Sequence, residues 1–295
     1  MIDPAAIAAA LDAAESHLLG AEMRTTLLHH GTRTPYVTVL LHGLTASPRT
    51  WQRFAEIRHA RGENVLIPRL PRHGHEDRMS EALAALRTEE LREAGERILA
   101  AAASLGERIV LVGHSLGGAL ALHLAHGDAR VFRTIAIAPF LGIARLPHGW
   151  NSFARALLAK MPNTFLYWNP IERGRLLPAH GYARYTTRSL AAGLTLADAL
   201  RDDARTGAPR AQHVEIVRNA AESSVSNPAI DDLVARWRAA GGARVRVHRL
   251  IGLGPSHDLI EPERRRAAAL RFLPHLHALL DASPPDRDLV IDTRG

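Results

Sequence analysis

A serine flanked by small residues at the end of an apolar run is where this chain could carry out covalent chemistry. Ile109-Val110-Leu111-Val112 leads into Gly113-His114-Ser115-Leu116-Gly117, and the apolar helix formers of residues 119–125 follow at once. The order of strand, sharp turn and helix lifts Ser115 out of a sheet and exposes its hydroxyl. Gly113 and Gly117 suit such a bend, because neighbouring backbone comes within contact distance and a Cβ there would clash. A serine hydroxyl by itself is a poor nucleophile. The chemistry therefore requires a general base, a carboxylate to orient that base, and hydrogen-bond donors for the developing oxyanion.

With a nucleophile turn of this kind the partners follow in the order acid, then histidine, each after a late strand. Among the 17 histidines, His257 is singled out by position: it lies in Gly252-Leu253-Gly254-Pro255-Ser256-His257-Asp258, beyond the last predicted strand. For the acid, Glu222 sits in the loop Asn219-Ala220-Ala221-Glu222-Ser223-Ser224-Val225 at the end of the preceding strand. Asp231 and Asp232 are the alternatives, although acidic residues in a first helical turn are accounted for by the helix dipole. Asp258 adjoins His257, and adjacent side chains diverge. The oxyanion donors are expected to be backbone amides, the N–H of Leu116 after the serine and the N–H of Leu44 after His42-Gly43. His42 is expected to order its own loop. His73, His75 and His114 lack a ligand pair at helical i, i+4 spacing, so neither a metal nor any other cofactor is expected.

The elements that must position these groups alternate between strand and helix. Strands are predicted at 36–41, 64–67, 131–138, 213–218 and 244–250 beside the one that feeds Ser115, and helices at 51–61, 88–105, 228–240 and 262–280. Such alternation predicts an α/β fold, a mostly parallel sheet with helices on both faces and functional groups at the carboxyl ends of the strands. Between Phe140 and about Ala204 the alternation stops, and helical patterns punctuated by Pro147, Pro162, Pro170 and Pro178 take over, as in an inserted cap. Eight of the 14 aromatic residues fall there, so they either line an apolar pocket or form a small core of the cap itself. The expected organisation is a first core part over 1–139 with an N-terminal helix over 1–20, a cap over 140–205, a second core part over 206–281, and a mobile tail over 282–295 with Ser283-Pro284-Pro285.

Composition limits the alternatives. A chain of 295 residues with 46% hydrophobic and 23% charged residues is that of an ordinary globular protein, with no apolar run long enough for a bilayer span. Without cysteine there is no thiol nucleophile and no disulfide framework. The net charge of +7 comes from arginines scattered through every segment, and Lys160 is the only lysine. That argues against a nucleic-acid track, and clusters such as Glu263-Arg264-Arg265-Arg266 read as a solvated helix face. The N-terminus carries Asp3, Asp12 and Glu15 and lacks the basic start of a signal peptide, so a cytoplasmic location is expected.

His42-Gly43-Leu44-Thr45-Ala46-Ser47-Pro48, Pro68-Arg69-Leu70-Pro71-Arg72-His73-Gly74, Gly113-His114-Ser115-Leu116-Gly117-Gly118 and Ser256-His257-Asp258 together resemble the α/β-hydrolase superfamily, in particular its carboxylesterase and monoacylglycerol-lipase-like branch. The resemblance spans about residues 36–280. It implies hydrolysis of a carboxylic ester, a small-molecule substrate of small to medium acyl chain, through an acyl-enzyme under a cap that shapes the acyl pocket. Two departures stand out. Glu222-Ser223-Ser224-Val225 replaces the Asp-x-x-Val usual in the branch, and Pro71-Arg72-His73-Gly74 replaces Pro-Gly-His-Gly, which would set a charged side chain near the entrance. An acyltransferase using the same acyl-enzyme, and a ligand-binding protein that kept the scaffold without turnover, are the alternative functions.

Overall fold

The computed structural model of the chain describes residues 3–147, 149–171, 180–241 and 244–294, leaving aside the side chains of 263–266. Pro178 of the expected cap and the side chains of Glu263-Arg264-Arg265-Arg266 thus lie outside the described residues. In chain order the elements are α1 (Pro4–Asp12), β1 (Thr26–Leu28), β2 (Thr34–Leu41), α2 (Gln52–Ala60), β3 (Asn64–Ile67), α3 (Thr88–Leu105), β4 (Gly106–His114), α4 (Leu116–Gly127) and β5 (Val131–Ile137). An insertion follows with α5 (Asn151–Lys160), β6 (Phe165–Tyr167), β7 (Arg184–Thr186) and α6 (Thr187–Asp203). The chain then runs through β8 (His213–Asn219), α7 (Asn227–Ala239), β9 (Val245–Ile251), α8 (Pro262–Asp281) and β10 (Val290–Asp292).

Eight strands form one sheet in the order β1-β3-β2-β4-β5-β8-β9-β10, parallel except for the edge pair β1 and β3. From β2 the chain steps outward to β3 and then returns to β4 on the other side. The carboxyl ends of β2 and β4 therefore flank a topological switch point, the crevice where open α/β sheets place their ligands. Successive strand residues feed opposite cores. Val37, Val39, Leu41, Ile109 and Leu111 face α3, α4 and α7, whereas Leu40, Val110 and Val112 face α2 and α8. With both faces covered, the central strands read as continuous apolar runs rather than alternating ones.

Three parts of the sequence reading change. The insertion is not purely helical: β6 and β7 pair as an antiparallel hairpin. Its last helix, α6, does not stand apart either, because Leu196, Ala197 and Leu200 belong to the same core cluster as α3 and α4. The segment expected as a mobile tail supplies β10, whose residues Val290, Ile291 and Asp292 pair in parallel with Arg249, Leu250 and Ile251. Among the described residues no helix is long and apolar enough to cross a membrane.

The tail is drawn in by a buried polar group. Arg133, Glu215 and His248 are diagonal neighbours across β5, β8 and β9, each offset by two residues in register and all less than 4% exposed. Glu215 accepts from Arg133 Nε at 2.6 Å and lies 2.9 Å from His248 Nε2. Arg133 also donates to the carbonyls of Leu279 and Ala282, capping the C-terminal end of α8 where the helix dipole favours a cation. His248 Nδ1 accepts the N–H of Leu289, which leaves Nε2 to carry the ring proton toward Glu215. Burial alone would raise the Glu215 pKa, but the bonds to His248 and Arg133 bring it below its usual value. Glu215→Ala would leave the Arg133 cation buried and uncompensated, and is expected to cost about 3–5 kcal/mol of stability in urea unfolding. A loss below about 1 kcal/mol would contradict this role.

Candidate active site

Between β4 and α4 the backbone turns through Ser115 at φ 55 and ψ −116, a conformation L-residues rarely adopt. Surrounding contacts hold it there. The Ser115 N–H donates to Ile137 O at 3.0 Å, and its carbonyl accepts from Ala119 and Phe140 N–H, each at 3.0 Å. The two turn glycines are required by sterics. A Cβ at Gly113 would stand 2.2 Å from Gly117 O, and one at Gly117 would stand 2.4 Å from Leu41 O and 2.5 Å from His42 O. The turn is thus wedged against the end of β2 as well as against its own helix.

Ser115 Oγ lies 2.9 Å from His257 Nε2, and His257 Nδ1 lies 3.0 Å from Glu222 Oε2. With Glu222 ionised, Nδ1 carries the proton and Nε2 presents its lone pair to the hydroxyl. The second carboxylate oxygen, Oε1, accepts the N–H groups of Ser223 at 2.9 Å and Ser224 at 2.8 Å. Burial would raise the Glu222 pKa, but the His257 hydrogen bond and charge, with the two amides, outweigh it and hold the group below its usual value. Asp231 and Asp232 are used elsewhere: Asp231 pairs with Arg218 at 2.7 Å, and Asp232 with Arg236 at 2.9 Å.

The loops carrying Glu222 and His257 are tied together by a residue that sequence reasoning missed. Asn219, 1% exposed, donates through Nδ2 to the carbonyls of Gly254 and Ser256, both at 2.8 Å, while its Oδ1 accepts the N–H of Ala221 at 3.2 Å. An asparagine closing a strand with such a turn bond is a readable local signal, but its two cross-loop bonds are not. His114, inside the nucleophile turn, reaches through Nε2 to His257 O at 2.9 Å. That contact steadies the backbone of His257. Burial, followed by the His257 charge, lowers the His114 pKa to about 4, so it serves as a neutral donor.

After β2, Gly43 approaches Ser115 so closely that a Cβ on it would be 3.3 Å from Ser115 Cβ. Leu44 follows. Among the described residues neither the Leu44 nor the Leu116 N–H has a hydrogen-bond acceptor, although Leu116 is 1% exposed. A buried amide such as that of Leu116 is rarely left unpaired. His42 does order its loop: Nδ1 lies 3.0 Å from Gly43 O, while Nε2 accepts the N–H of Leu70 at 3.1 Å. Burial, then the neighbouring His73, pushes the His42 pKa well below its usual value. His73 accepts the Thr45 N–H on Nε2 and contacts Pro71 O through Nδ1, and burial lowers its pKa to about 4.

Arg72 departs from expectation. Its guanidinium pairs with Glu90 at 2.7 Å and faces Glu15, in a groove lined by Leu11, Glu93 and Arg97 that contains no residue of the Ser115 group. The aromatic residues of the insertion also divide. Phe140 and Tyr182 are buried, while Trp150, Phe153 and Trp168 are exposed. Phe140 joins Ala138, Leu194 and Val225 in an apolar cluster bordered by Ile143, Leu158 and Leu190, next to the Ser115 carbonyl it binds. Among the described residues no group of three His, Cys, Asp or Glu side chains is arranged to hold a metal.

The sequence profile of the Alpha/beta hydrolase family matches residues 38–283. No curated protein sequence matches the chain. Several solved structures share its fold. A monoglyceride lipase from Saccharomyces cerevisiae, a soluble variant bound to a substrate analog, has a TM-score of 0.66 at 12% identity, covering 88% of this chain and 91% of that one. A structure reported with the metagenome-derived lipolytic enzymes LipS and LipT gives 0.62 at 16% identity, over 87% and 99%. The monoacylglycerol lipase of Paleococcus ferrophilus gives 0.60 at 17% identity, over 85% and 98%.

The buried neutral histidines have a consequence for stability. Unfolded, His73 and His114 take up protons near 6.5; folded, they do so only at about 4. Between these values the unfolded chain binds more protons, so stability is complete above about pH 6.5 and falls as pH drops, by up to about 1.4 kcal/mol per unit for each group. Urea unfolding from about pH 7.5 to about 4.5 should show this decline. A flat profile would mean that these rings are not held neutral.

Proposed function

Because the chain belongs to the alpha/beta hydrolase family, we propose that it is a serine hydrolase of carboxylic esters that works through an acyl-enzyme. The observation that carries the reading is the unbroken line from Glu222 Oε2 through His257 to Ser115 Oγ, with contacts of 3.0 Å and 2.9 Å. As Ser115 Oγ attacks the ester carbonyl, His257 Nε2 takes its proton, and Glu222 stabilises the imidazolium and keeps the ring in the required tautomer. The carbonyl oxygen becomes an oxyanion held by the N–H groups of Leu44 and Leu116. Collapse expels the alcohol, which receives the proton from His257 and leaves the acyl group on Ser115. Water then attacks with His257 as base, and the acid departs.

Glutamate is one methylene longer than the aspartate usual here, and the two amides on Oε1 hold the longer side chain so that Oε2 meets the ring. We take the acyl chain to be of small to medium length, as the resemblance to the carboxylesterase and monoacylglycerol-lipase-like branch implies. Ser115→Ala is expected to abolish both p-nitrophenyl ester turnover and fluorophosphonate labelling; a folded variant that keeps both overturns the assignment. Glu222→Gln should lower kcat by about 10⁴, as in the analogous triad, whereas Asp231→Asn and Asp232→Asn should stay within about tenfold. A larger loss from either aspartate would transfer the acid role to it.

A further inference from the structure

Leu44 is pinned on both sides. On its N-terminal side, His42 binds Gly43 O and the Leu70 N–H within the core. On its C-terminal side stands Thr45, fully buried at φ 68, a left-handed conformation that crowds a β-branched side chain. The turn around it is closed by the Ala46 N–H on Gly43 O at 3.2 Å, and three bonds of Thr45 itself hold it there. His73 Nε2 accepts its N–H at 3.3 Å, its carbonyl accepts the Tyr182 N–H at 2.8 Å, and its hydroxyl accepts the indole N–H of Trp168 at 2.8 Å. Two of the three come from the insertion. Tyr182 is fixed independently, since its hydroxyl donates to Arg72 O and accepts the His75 N–H. Trp168 closes the hairpin, with its N–H on Ala183 O and its ring 4.4 Å from that of Tyr185, yet it remains 48% exposed.

We propose that Trp168 is a positioning residue through which the seating of the insertion over the site aligns the oxyanion donor of Leu44. Trp168 is held by packing on Tyr185, but it is the directed bond from its indole N–H that couples it to the fully buried Thr45 hydroxyl. A strained residue persists only while its surroundings over-determine it. With the insertion lifted, Thr45 keeps one bond of three, relaxes toward negative φ, and carries the adjoining Leu44 peptide with it. With the insertion seated, the donor is aligned. The contact is felt where charge develops on the carbonyl oxygen, so it acts on kcat rather than on substrate affinity.

This inference rests on the ester-hydrolase reading, and its test separates the two. Trp168→Phe keeps the ring against Tyr185 and removes the N–H, while Thr45→Val keeps the branched shape and removes the acceptor. Each is expected to lower kcat about tenfold with KM within about twofold. The double variant should be no slower than either single one, and Thr45→Ser should restore the rate. Multiplicative losses, an unchanged kcat, or an effect confined to KM would overturn the role. Hydrogen exchange provides a readout that needs no turnover: amides of residues 43–46 should exchange faster in Trp168→Phe while those of 113–118 do not change. Equal protection of 43–46 in both proteins would overturn it as well. Should wild-type protein neither hydrolyse esters nor label, the ester reading fails on its own, and the exchange measurement alone decides whether Trp168 holds the loop.

Discussion

The close approach of three backbone segments at the Ser115 turn is the constraint on which the rest of the site depends. Gly113 lies against Gly117, and Gly117 against the carbonyls of Leu41 and His42, at separations that leave no room for a side-chain carbon. That contact brings the end of β2 to the end of β4, the two strands between which the chain reverses direction across the sheet. The N–H groups of Leu44 and Leu116, which have no acceptor among the described residues, are carried by the two segments so joined. The unfavourable backbone angles of Ser115 are the cost of this arrangement, offset by the bonds to Ile137, Ala119 and Phe140.

Around this turn the polar groups are matched by hydrogen-bond type rather than by charge. His42, His73 and His114 are all held below their ordinary pKa by burial, and each uses its ring to fix a backbone group. A neutral imidazole offers one donor and one acceptor, so it can join two chain segments without needing a counter-ion. His257 is the exception in being met by a carboxylate, and it is the ring that reaches the hydroxyl. The difference in partner separates the imidazole suited to carry a proton from those that hold the loops.

Much of this was legible in the sequence because it is local. The glycine spacing around Ser115, the order of Glu222 and His257 after late strands, and the boundaries of the long helices follow from short-range pattern, and the structure brings the three side chains into line. What the sequence hid depends on partners far along the chain. The bonds of Asn219 to Gly254 and Ser256 cannot be inferred from the turn it closes. The strand Val290–Asp292 reads as a loose end until β9 is seen to have an open edge and His248 an open acceptor. Arg72 reads as an entrance residue until Glu90 and Glu15, from two other segments, are found around it. The hairpin of the insertion is only three residues long on each side, too short for periodicity to register.

The interior position of Arg133 also bears on how the chain is made. Its guanidinium is satisfied by Glu215, 82 residues later, and by Leu279, 146 residues later. During synthesis β5 leaves the ribosome long before either partner exists, and a lone cation cannot be desolvated without a large penalty. The part of the α8 side around Arg133 therefore stays hydrated, although α2 already covers another part of that face, while the opposite side, whose α3 and α4 are present, can begin to pack. Completion of that side waits for the last long helix. A nascent chain stalled before Leu279 would hold every strand but β10 and still lack the helix end that satisfies Arg133, leaving apolar surface on that face open to misassembly.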